Sequence, residues 1–419
     1  MKKIGIFLLL CLITFLILTY WSLNIVPEDP RISDVLQPAN ANPETLVHRD
    51  SVVVMPTDLY SGNWLKRFMQ GTNYRRAWEA PIKVPVMRLD SMTILEEGGG
   101  SQTHSLDIKS PSGNIYSLRS INKDPDPLIP DIARVLGLEN LIIDGISAQH
   151  PYGAVLSASL SEAAGIPHTH PRIVFLPKQK ALGEFRESFG GKLYLLEYET
   201  EGPGTWIQQD SVERIIETDD LQLLKKKEGP ALTIDKRALV RARLFDLLIG
   251  DWDRHAEQWG WILTRNAGKT EAIPLPGDRD NAFFRIDGVL PTIITNEIVQ
   301  PLVRPFEKTI DYLPGYVYPI DLYFLKEVPK EVFLQQARAL QKALTNQELQ
   351  EALMAWPDPI ARLDGREIMQ ILKSRRDALV ETAEDFYNII QKREYLKEPL
   401  KGSEDLNLPP DLQRCFDCR

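Results

Sequence analysis

Two short polar runs in the middle of the chain combine residue types that can carry out phosphoryl transfer. The first, residues 247–258 (LLIGDWDRHAEQ), is an apolar stretch that stops at a glycine and continues into Asp, Arg and His. The second, residues 277–284 (GDRDNAFF), contains an Asp-x-Asp pair. Phosphoryl transfer needs a carboxylate that orients or accepts the proton of the attacking hydroxyl, and oxygen ligands for a divalent cation. Together the two runs predict a phosphate and metal site.

Spacing assigns roles within the first run. Asp253 is the predicted catalytic base, and Gln258, five residues later, can supply a neutral metal ligand from the same loop. Arg254 and His255 can orient the loop or contact phosphate. The competing interpretation is structural, with Asp253 capping a turn and Arg254 paired with Asp251.

The second run offers stronger metal ligands. Asp278 and Asp280 are hard oxygen donors suited to Mg²⁺ or Mn²⁺. A zinc hydrolase is the competing metal enzyme, because His168 and His170 form a His-x-His motif. That motif lies in a proline-bounded segment without an accompanying HxxxH or HExxH helix, so it favours a polar loop.

A glycine run precedes a predicted β-hairpin. In residues 96–103 (EEGGGSQT), consecutive glycines let backbone N–H groups approach an anion without interference from Cβ atoms. The predicted phosphate contacts are Gly98, Gly99, Gly100, Ser101 and Gln102. Alternating strands at 105–109 and 115–119 follow, joined by the turn residues 111–114. The alternative is a flexible turn without a ligand.

The second strand of this hairpin carries a cation. Ser117 and Arg119 lie two residues apart and share one face of the strand, so Arg119 can reach back under the glycine run towards a phosphate. Lys123, slightly beyond the strand, is the competing cation. A surface arginine on an exposed strand is the structural alternative.

The N-terminus predicts a membrane anchor. Lys2 and Lys3 precede an apolar stretch from Ile4 to about Trp21, and the acidic residues follow it. This length suits a spanning helix, and the charge asymmetry places the body outside the cytoplasm, on the periplasmic or extracellular side. A cleaved signal and a buried core helix are the alternatives. The net charge of −9, without a basic block, argues against a nucleic-acid partner.

Composition and periodicity predict an α+β protein of two lobes with a cleft between them. With 43% hydrophobic and 26% charged residues, the chain is long enough for separate cores. Trp64, Phe68, Tyr74 and Trp78 have nearly helical spacing and form either an aromatic core or a docking surface. Further predicted elements are a helix at 153–164, strands at 172–176 and 192–198, a hairpin around 266–269 and a last helix with apolar residues from 368 to 390.

The predicted organisation has five parts. They are a transmembrane anchor (1–24), a tether (25–50), a strand-rich N-lobe (51–200), a helical C-lobe (201–395) and a C-terminal tail (396–419). The tail contains Cys415 and Cys418 as a CxxC, for which a local disulfide is favoured over half a zinc site or a pair without function.

The motifs together resemble the atypical kinases, which include secretory-pathway casein-type kinases, spore-coat kinases and HipA-type kinases. The resemblance rests on residues 248–255 and 278–283 (LIGDWDRH and DRDNAF). It implies a two-lobed protein-kinase-like fold, with Asp253 as the catalytic aspartate. It also implies that Asp278, five residues before Phe283, is the metal-binding aspartate in preference to Asp280.

The same resemblance extends to the nucleotide site. It makes the glycine loop the phosphate loop, puts Arg119 where these kinases carry a nucleotide-pairing lysine, and suggests Glu162 as the helix glutamate that pairs with it. Segments 71–78, 98–106 and 251–259 (GTNYRRAW, GGGSQTHSL and DWDRHAEQW) are also similar to a set of bacterial envelope-associated proteins. The resemblance covers about residues 60–390.

These features predict a membrane-anchored kinase-like phosphotransferase that uses ATP or another nucleotide with Mg²⁺ or Mn²⁺. The expected acceptor is a hydroxyl of a protein, or of an envelope glycan or lipid. Because ATP is scarce outside the bacterial cytoplasm, a reversed topology, a eukaryotic lumen and an unusual donor remain open. Arg119 in place of Lys, and Gln258 in place of Asn or an acid, depart from the kinase pattern. The alternative is therefore an inactive, pseudokinase-like binding protein of the envelope.

Overall fold

The computed structural model describes residues 2–23, 33–37, 43–99, 104–123, 129–208, 211–266, 268–295 and 300–417. These residues form a mixture of helices and three mainly antiparallel sheets, in agreement with the predicted α+β class. The finer division into two kinase-like lobes remains a prediction.

Helix α1 (Lys2–Ser22) is long and apolar enough to cross a membrane, with a mean hydropathy of 2.5 over its best window. Only 6% of that window is buried, so a buried core helix does not fit. A signal sequence near the N-terminus meets the same criterion of length and composition, so the anchor and the cleaved signal both remain predictions.

A small antiparallel sheet follows. It consists of β1 (Asp34–Gln37), β2 (Ser51–Met55) and β3 (Ile82–Pro85), in that order. Two short helices, α2 (Trp64–Gln70) and α3 (Arg75–Glu79), connect the last two strands. Asn63 caps α2 by accepting a hydrogen bond from the backbone N–H of Lys66.

The next sheet has five antiparallel strands and carries the glycine hairpin. Its strands are β4 (Thr93–Gly98), β5 (Ser105–Lys109), β6 (Ile115–Ser120), β7 (Arg172–Leu176) and β8 (Lys192–Tyr198), in the spatial order β4-β5-β6-β8-β7. The predicted hairpin of β5 and β6 and the predicted strands β7 and β8 are confirmed. Connecting helices are α4 (Asp131–Val135), α5 (Glu139–Gly145), α6 (Gly153–Ala163) and α7 (Arg186–Phe189), of which α6 confirms the predicted helix.

A four-stranded sheet frames the two polar runs. It contains β9 (Val212–Glu217), β10 (Leu232–Ile234), β11 (Trp259–Asn266) and β12 (Lys269–Pro276), in the order β10-β12-β11-β9. The hairpin of β11 and β12 is the one predicted around residues 266–269. Helices α8 (Thr218–Glu228) and α9 (Lys236–Ile249) complete this region, and the first polar run joins α9 to β11.

Helices dominate the remaining chain. They are α10 (Val289–Ile294), α11 (Pro319–Leu325), α12 (Lys330–Ala343), α13 (Asn346–Ala352), α14 (Asp358–Asp377), α15 (Leu379–Lys392) and α16 (Pro410–Arg414). The single last helix predicted for residues 368–390 is wrong, because α14 and α15 meet at Ala378. Ala378 has a ψ of 0°, which interrupts the regular helix, while apolar residues on both sides of it stay buried.

The main apolar core joins side chains from Leu46 to Phe416 and so crosses the predicted N-lobe, C-lobe and tail. A second cluster, including Leu106 and Leu118, packs on the five-stranded sheet. Since successive strand residues point to opposite faces, packing Leu118 into this cluster leaves Ser117 and Arg119 on the other face. That face looks towards the polar runs.

Candidate functional site

The first polar run begins where α9 ends. Gly250 adopts a left-handed conformation (φ 71°, ψ 30°), and its backbone N–H donates to the carbonyl of Asp246. A Cβ atom there would meet Phe306 at 2.8 Å and Arg375 at 3.2 Å. Only glycine combines a left-handed backbone with the absence of a Cβ atom, so the predicted end of the helix at a glycine is confirmed. Gly250 therefore fixes the point where the loop at 251–255 begins.

A buried carboxylate on α9 ties both polar runs to the helix. Asp246 accepts hydrogen bonds from Arg279 on one oxygen, and pairs with Arg243 and Arg254 on the other. All four side chains are at most 5% exposed. Burial by itself would raise the pKa of Asp246, but the three guanidiniums hold that pKa below its ordinary value. Asp246 is therefore an ionised anchor for the loops carrying Arg254 and Arg279.

Arg254 has a structural role. It is fully buried, pairs with Asp251 at 3.5 Å and donates to the carbonyls of Gly277 and Gln258. The predicted pairing of Arg254 with Asp251 is present, and the fully buried side chain is placed to orient the loop, while its predicted phosphate contact stays a prediction. Arg254 joins the first polar run to the start of the second.

Arg119 connects the five-stranded sheet to the second run. Its Nη1 lies 2.5 Å from Asp278, and its Nε lies 3.0 Å from Glu197 on β8. Lys123, the other predicted cation, lies 2.6 Å from Asp280. The structure therefore brings two cations and two Asp-x-Asp carboxylates together as neighbouring ion pairs.

Asp253 lies beside this cluster. Its side chain is about 30% exposed, and the Asn281 amide lies 3.5 Å from its Oδ2. Burial, followed by the negative charge of Asp278, raises the pKa of Asp253. A carboxyl whose pKa is moved up towards neutrality is a better proton acceptor for catalysis than an ordinary aspartate.

Two more residues of the first run face the same cluster. The Gln258 side chain lies next to Asp278 and helps lower the pKa of that carboxyl, and its amide nitrogen lies 3.4 Å from His255 Nε2. Burial, with Lys401 nearby, lowers the pKa of His255 to about 4, so the imidazole is neutral at pH 7. His255 can orient Gln258 and Asp253 but supplies no positive charge for a phosphate.

The two aspartates of the second run differ. Burial would raise the pKa of Asp278, but Arg119, then Lys123, hold it below its ordinary value. Burial and the adjacent charge of Asp278 raise the pKa of Asp280. Asp278 is therefore the more firmly ionised carboxylate and the better cation ligand of the two.

The donors suit a hard cation. Carboxylate and amide oxygens of Asp278, Asp280 and Gln258 are the ligand types that Mg²⁺ or Mn²⁺ prefers. Within the described ranges, no group of three or more His, Cys, Asp or Glu side chains is already arranged as a metal site. Arg119 and Lys123 neutralise the carboxylates instead. A metal would therefore bind here only if these two cations left the carboxylates and paired with another anion.

The glycine run lies next to Arg119 in the sheet. Gly98 pairs with Ser105 across β4 and β5, and Ser105 pairs with Arg119 across β5 and β6. Gly99 follows with φ of 128°, a conformation that suits glycine. The remaining predicted phosphate contacts, Gly100, Ser101 and Gln102, lie outside the described residues. The register thus places the start of the loop in the same transverse row as Arg119.

Glu162 is not the partner of Arg119. Its side chain is exposed near the end of α6 and acts electrostatically on His170. Glu197 takes that place, because it lies diagonally opposite Arg119 on the neighbouring strand and on the same face of the sheet. Thr169 donates to the second oxygen of Glu197 at 2.6 Å. Burial raises the pKa of Glu197 to about 7.

The His-x-His motif is a loop feature. The rings of His168 and His170 lie 4.1 Å apart, and burial lowers the pKa of His168 to about 4. In the part of the chain that the structure describes, neither histidine belongs to a metal-binding group. In the C-terminal tail, Cys415 is disulfide-bonded, and Cys418 lies outside the described residues.

Three residues of the site were missed by sequence reasoning: Glu197, Asp246 and Asn281. Asp246 had a usable signal, since it is an acid within the apolar run LFDLLI of a helix. A charge in such a position is buried only with partners. Glu197 and Asn281 carried no comparable signal, because strand register and loop packing bring them to the site.

The cleft between the ion pairs is nearly closed. The space lined by Arg119, Lys123, Glu197, Asp278 and Asp280 holds about 20 Å³, room for about one water molecule. A cavity of about 580 Å³ lies elsewhere, lined by residues that include Tyr74, Arg285, Phe306 and Asp364. A nucleotide would therefore have to separate the ion pairs as it binds.

Fold and site together describe a mixed α/β protein in which cations from a glycine hairpin meet acidic loops from a second sheet. No protein-family model and no curated protein matches the sequence. Among solved structures, the chain is similar to the proinflammatory kinase CtkA of Helicobacter pylori, at 10% identity and a TM-score of 0.38 over 73% of this chain and 99% of that one. It is also similar to a structure of the toxin–antitoxin system HipA and HipB with operator DNA from Shewanella oneidensis. That similarity has 12% identity and a TM-score of 0.31 over 74% of this chain and 68% of the other.

Proposed function

We propose that the protein is a membrane-anchored phosphotransferase that moves the terminal phosphoryl group of ATP, or of another nucleotide, to a hydroxyl acceptor. The observation that carries the proposal is that Arg119 and Asp278 pair at one cleft next to the glycine run, with Asp253 beside them. Separate positions on a sheet and on two loops supply a phosphate-binding cation, a metal-binding carboxylate and a base, which are the parts that phosphoryl transfer requires.

Ligand binding is an exchange of ionic partners. Arg119 and Lys123 pair with Asp278 and Asp280 in the free protein. A metal–nucleotide complex brings anionic oxygens for the two cations and a cation for the two carboxylates, so each buried charge keeps a partner. Glu197 keeps Arg119 positioned on its strand during the exchange.

Each protein group then has a defined part in the transfer. Asp253 accepts the acceptor's hydroxyl proton as that oxygen bonds to the terminal phosphorus, and the bond from phosphorus to the bridging oxygen breaks to release the nucleoside diphosphate. Asn281 and His255 orient Asp253. Mg²⁺ or Mn²⁺, held by Asp278 with Asp280 or Gln258, would neutralise phosphate charge. The acceptor is a hydroxyl of a protein, or of an envelope glycan or lipid.

A pseudokinase-like binding protein of the envelope is the second candidate. The nearly closed cleft and the neutral Gln258, which lies next to Asp278 and His255, favour it. In that case the same cleft would hold a nucleotide or stabilise the scaffold without turnover.

Nucleotide binding and turnover by the full chain separate the candidates. Wild type, Asp253→Asn and Asp278→Asn are titrated with ATP and GTP in Mg²⁺ and in Mn²⁺, with Glu213→Gln on β9 as an exposed control. We expect Asp253→Asn to bind nucleotide but lose about 10²-fold or more of the turnover. Asp278→Asn should lose metal-dependent binding as well. Binding without turnover in wild type favours the binding protein, and wild type that neither binds nor turns over a nucleotide refutes the phosphotransferase.

A further inference from the structure

The last two turns of helix α1 pack against the body of the protein. Phe15 and Leu18 contact an apolar cluster formed by Leu65 and Met69 of α2, with side chains of α5 and α10. Hydrogen bonds fix the end of the helix to the same place. The amide of Gln70 donates to the carbonyl and the hydroxyl of Ser22, and the Tyr20 hydroxyl donates to the carbonyl of Leu136, just after α4.

This packing sets the depth of the body relative to a membrane. Helix α1 has 21 residues, or about 31 Å, which only just matches the ~30 Å hydrocarbon core of a bilayer. The segment 15–22, about 12 Å of that length, lies alongside α2, α4 and α10. About 20 Å is left beyond the body, which is too short to cross the core alone. If α1 spans a bilayer, its neighbours lie at the level of the adjacent leaflet.

The helices next to the end of α1 expose apolar side chains suited to that position. They are Trp64 and Phe68 on α2, Ile132 and Val135 on α4, and Ile293 and Ile294 on α10, with exposures between 47% and 80%. We call these six residues the apolar rim. Trp64 and Phe68 are one helical turn apart, while Leu65 and Met69 of the same helix face α1. Helices α2 and α10 thus each have one apolar side in the cluster with α1 and a second that is uncovered, and the end of α4 is joined to α1 by the hydrogen bond from Tyr20.

We propose that the apolar rim is inserted into the membrane leaflet next to α1, so that the body is held on the lipid surface as well as by its anchor. Burying these side chains in lipid removes their apolar area from water, and tryptophan favours the interface between lipid and water. Trp21 at the end of α1, 76% exposed, lies at the same level. The proposal rests on the anchoring part of the proposed function and is independent of its chemistry.

Site-specific fluorescence in vesicles tests the depth of the rim. The full chain carrying Cys11→Ser is given one cysteine by Phe68→Cys, Val135→Cys or Ile293→Cys, then labelled with an environment-sensitive fluorophore. It is reconstituted in phosphatidylethanolamine–phosphatidylglycerol vesicles containing a spin-labelled phospholipid quencher. Met354→Cys is the matched control, because Met354 is apolar and its exposure of 76% lies within the 56% to 80% of the three rim positions, but it lies outside the rim and the α1 cluster. Leu8→Cys reports whether α1 itself enters the bilayer. The Cys11→Ser parent alone measures background labelling.

We expect blue-shifted emission and quenching at positions 68, 135 and 293, comparable with position 8, and neither effect at 354. If the rim positions behave like 354 while position 8 is quenched, the rim proposal fails and the anchor stands. If no position is quenched, both the rim and the anchor fail, while nucleotide turnover judges the catalytic proposal separately. Unchanged melting temperatures of the labelled variants show that a loss of signal is not unfolding.

Discussion

The guanidinium of Arg119 lies 2.5 Å from the carboxylate of Asp278, although 159 residues separate them in the chain. This ion pair joins the glycine-hairpin sheet to the loop after the second hairpin. In the free protein it leaves the cleft nearly closed, with cations and carboxylates as direct neighbours.

Removing the guanidinium of Arg119 should weaken nucleotide binding. Because Arg119 is the cation nearest both the glycine run and Asp278, we expect Arg119→Ala to lose about tenfold or more in affinity for Mg²⁺–nucleotide, a loss typical of a charged hydrogen bond. The affinity of Arg119→Lys should lie between those of wild type and Arg119→Ala, since an ammonium keeps the charge but cannot contact Glu197 and Asp278 with a planar fork. Calorimetric titration measures the affinities, with Arg172→Ala, an exposed arginine on β7, as the control. Equal affinity of Arg119→Ala and wild type would contradict the assigned role.

Removing the charge of Asp246 should destabilise the whole site. Asp246→Asn leaves three buried guanidiniums without their shared carboxylate, and breaking a buried pair of this kind costs about 3–5 kcal/mol. Urea denaturation measures the loss in the free energy of unfolding. The control is Asp385→Asn, the same change at an exposed position on α15. A variant as stable as wild type would show that Asp246 does not anchor the two loops.

The pH dependence of stability should change at Glu197. Its pKa is raised from 4.5 to about 7 by burial, so the folded protein binds this proton more tightly than the unfolded chain does. The stability from that proton is complete below pH 4.5 and is lost as pH rises through 7. Glu197→Gln cannot lose it, so its stability relative to wild type should be higher at pH 8 than at pH 5. Thermal melts at both pH values measure the difference, and Glu213→Gln should show no such trend.

The glycine at the end of α9 should resist substitution. Gly250→Ala adds both a left-handed alanine and a clash with Phe306, so we expect a loss of about 2–4 kcal/mol in the free energy of unfolding. Gly268→Ala separates the two effects, because Gly268 also has a positive φ (81°) but its Cβ would meet nothing within 4 Å. Denaturant titrations of both variants should place Gly250→Ala well below Gly268→Ala. Equal losses in the free energy of unfolding for the two variants would mean that the residues around Gly250 shift to make room for the added Cβ atom.

Local structure followed directly from sequence. The helix stop at Gly250 and the hairpins of β5 with β6 and of β11 with β12 were predictable, since turn residues and apolar periodicity act over a few neighbouring residues. The interruption at Ala378 was not, because the apolar pattern continues from α14 into α15.

The sequence alone also determined which residue types stand at the five-residue spacing of Asp253 and Gln258 and in the Asp-x-Asp motif. Tertiary structure decided which charges meet. It paired Arg119 with Glu197 instead of Glu162, buried Arg254 on Asp246, and closed the cleft with two ion pairs. Such pairs depend on strand register and on desolvation, which act between residues distant in the chain and leave no periodic signal within it.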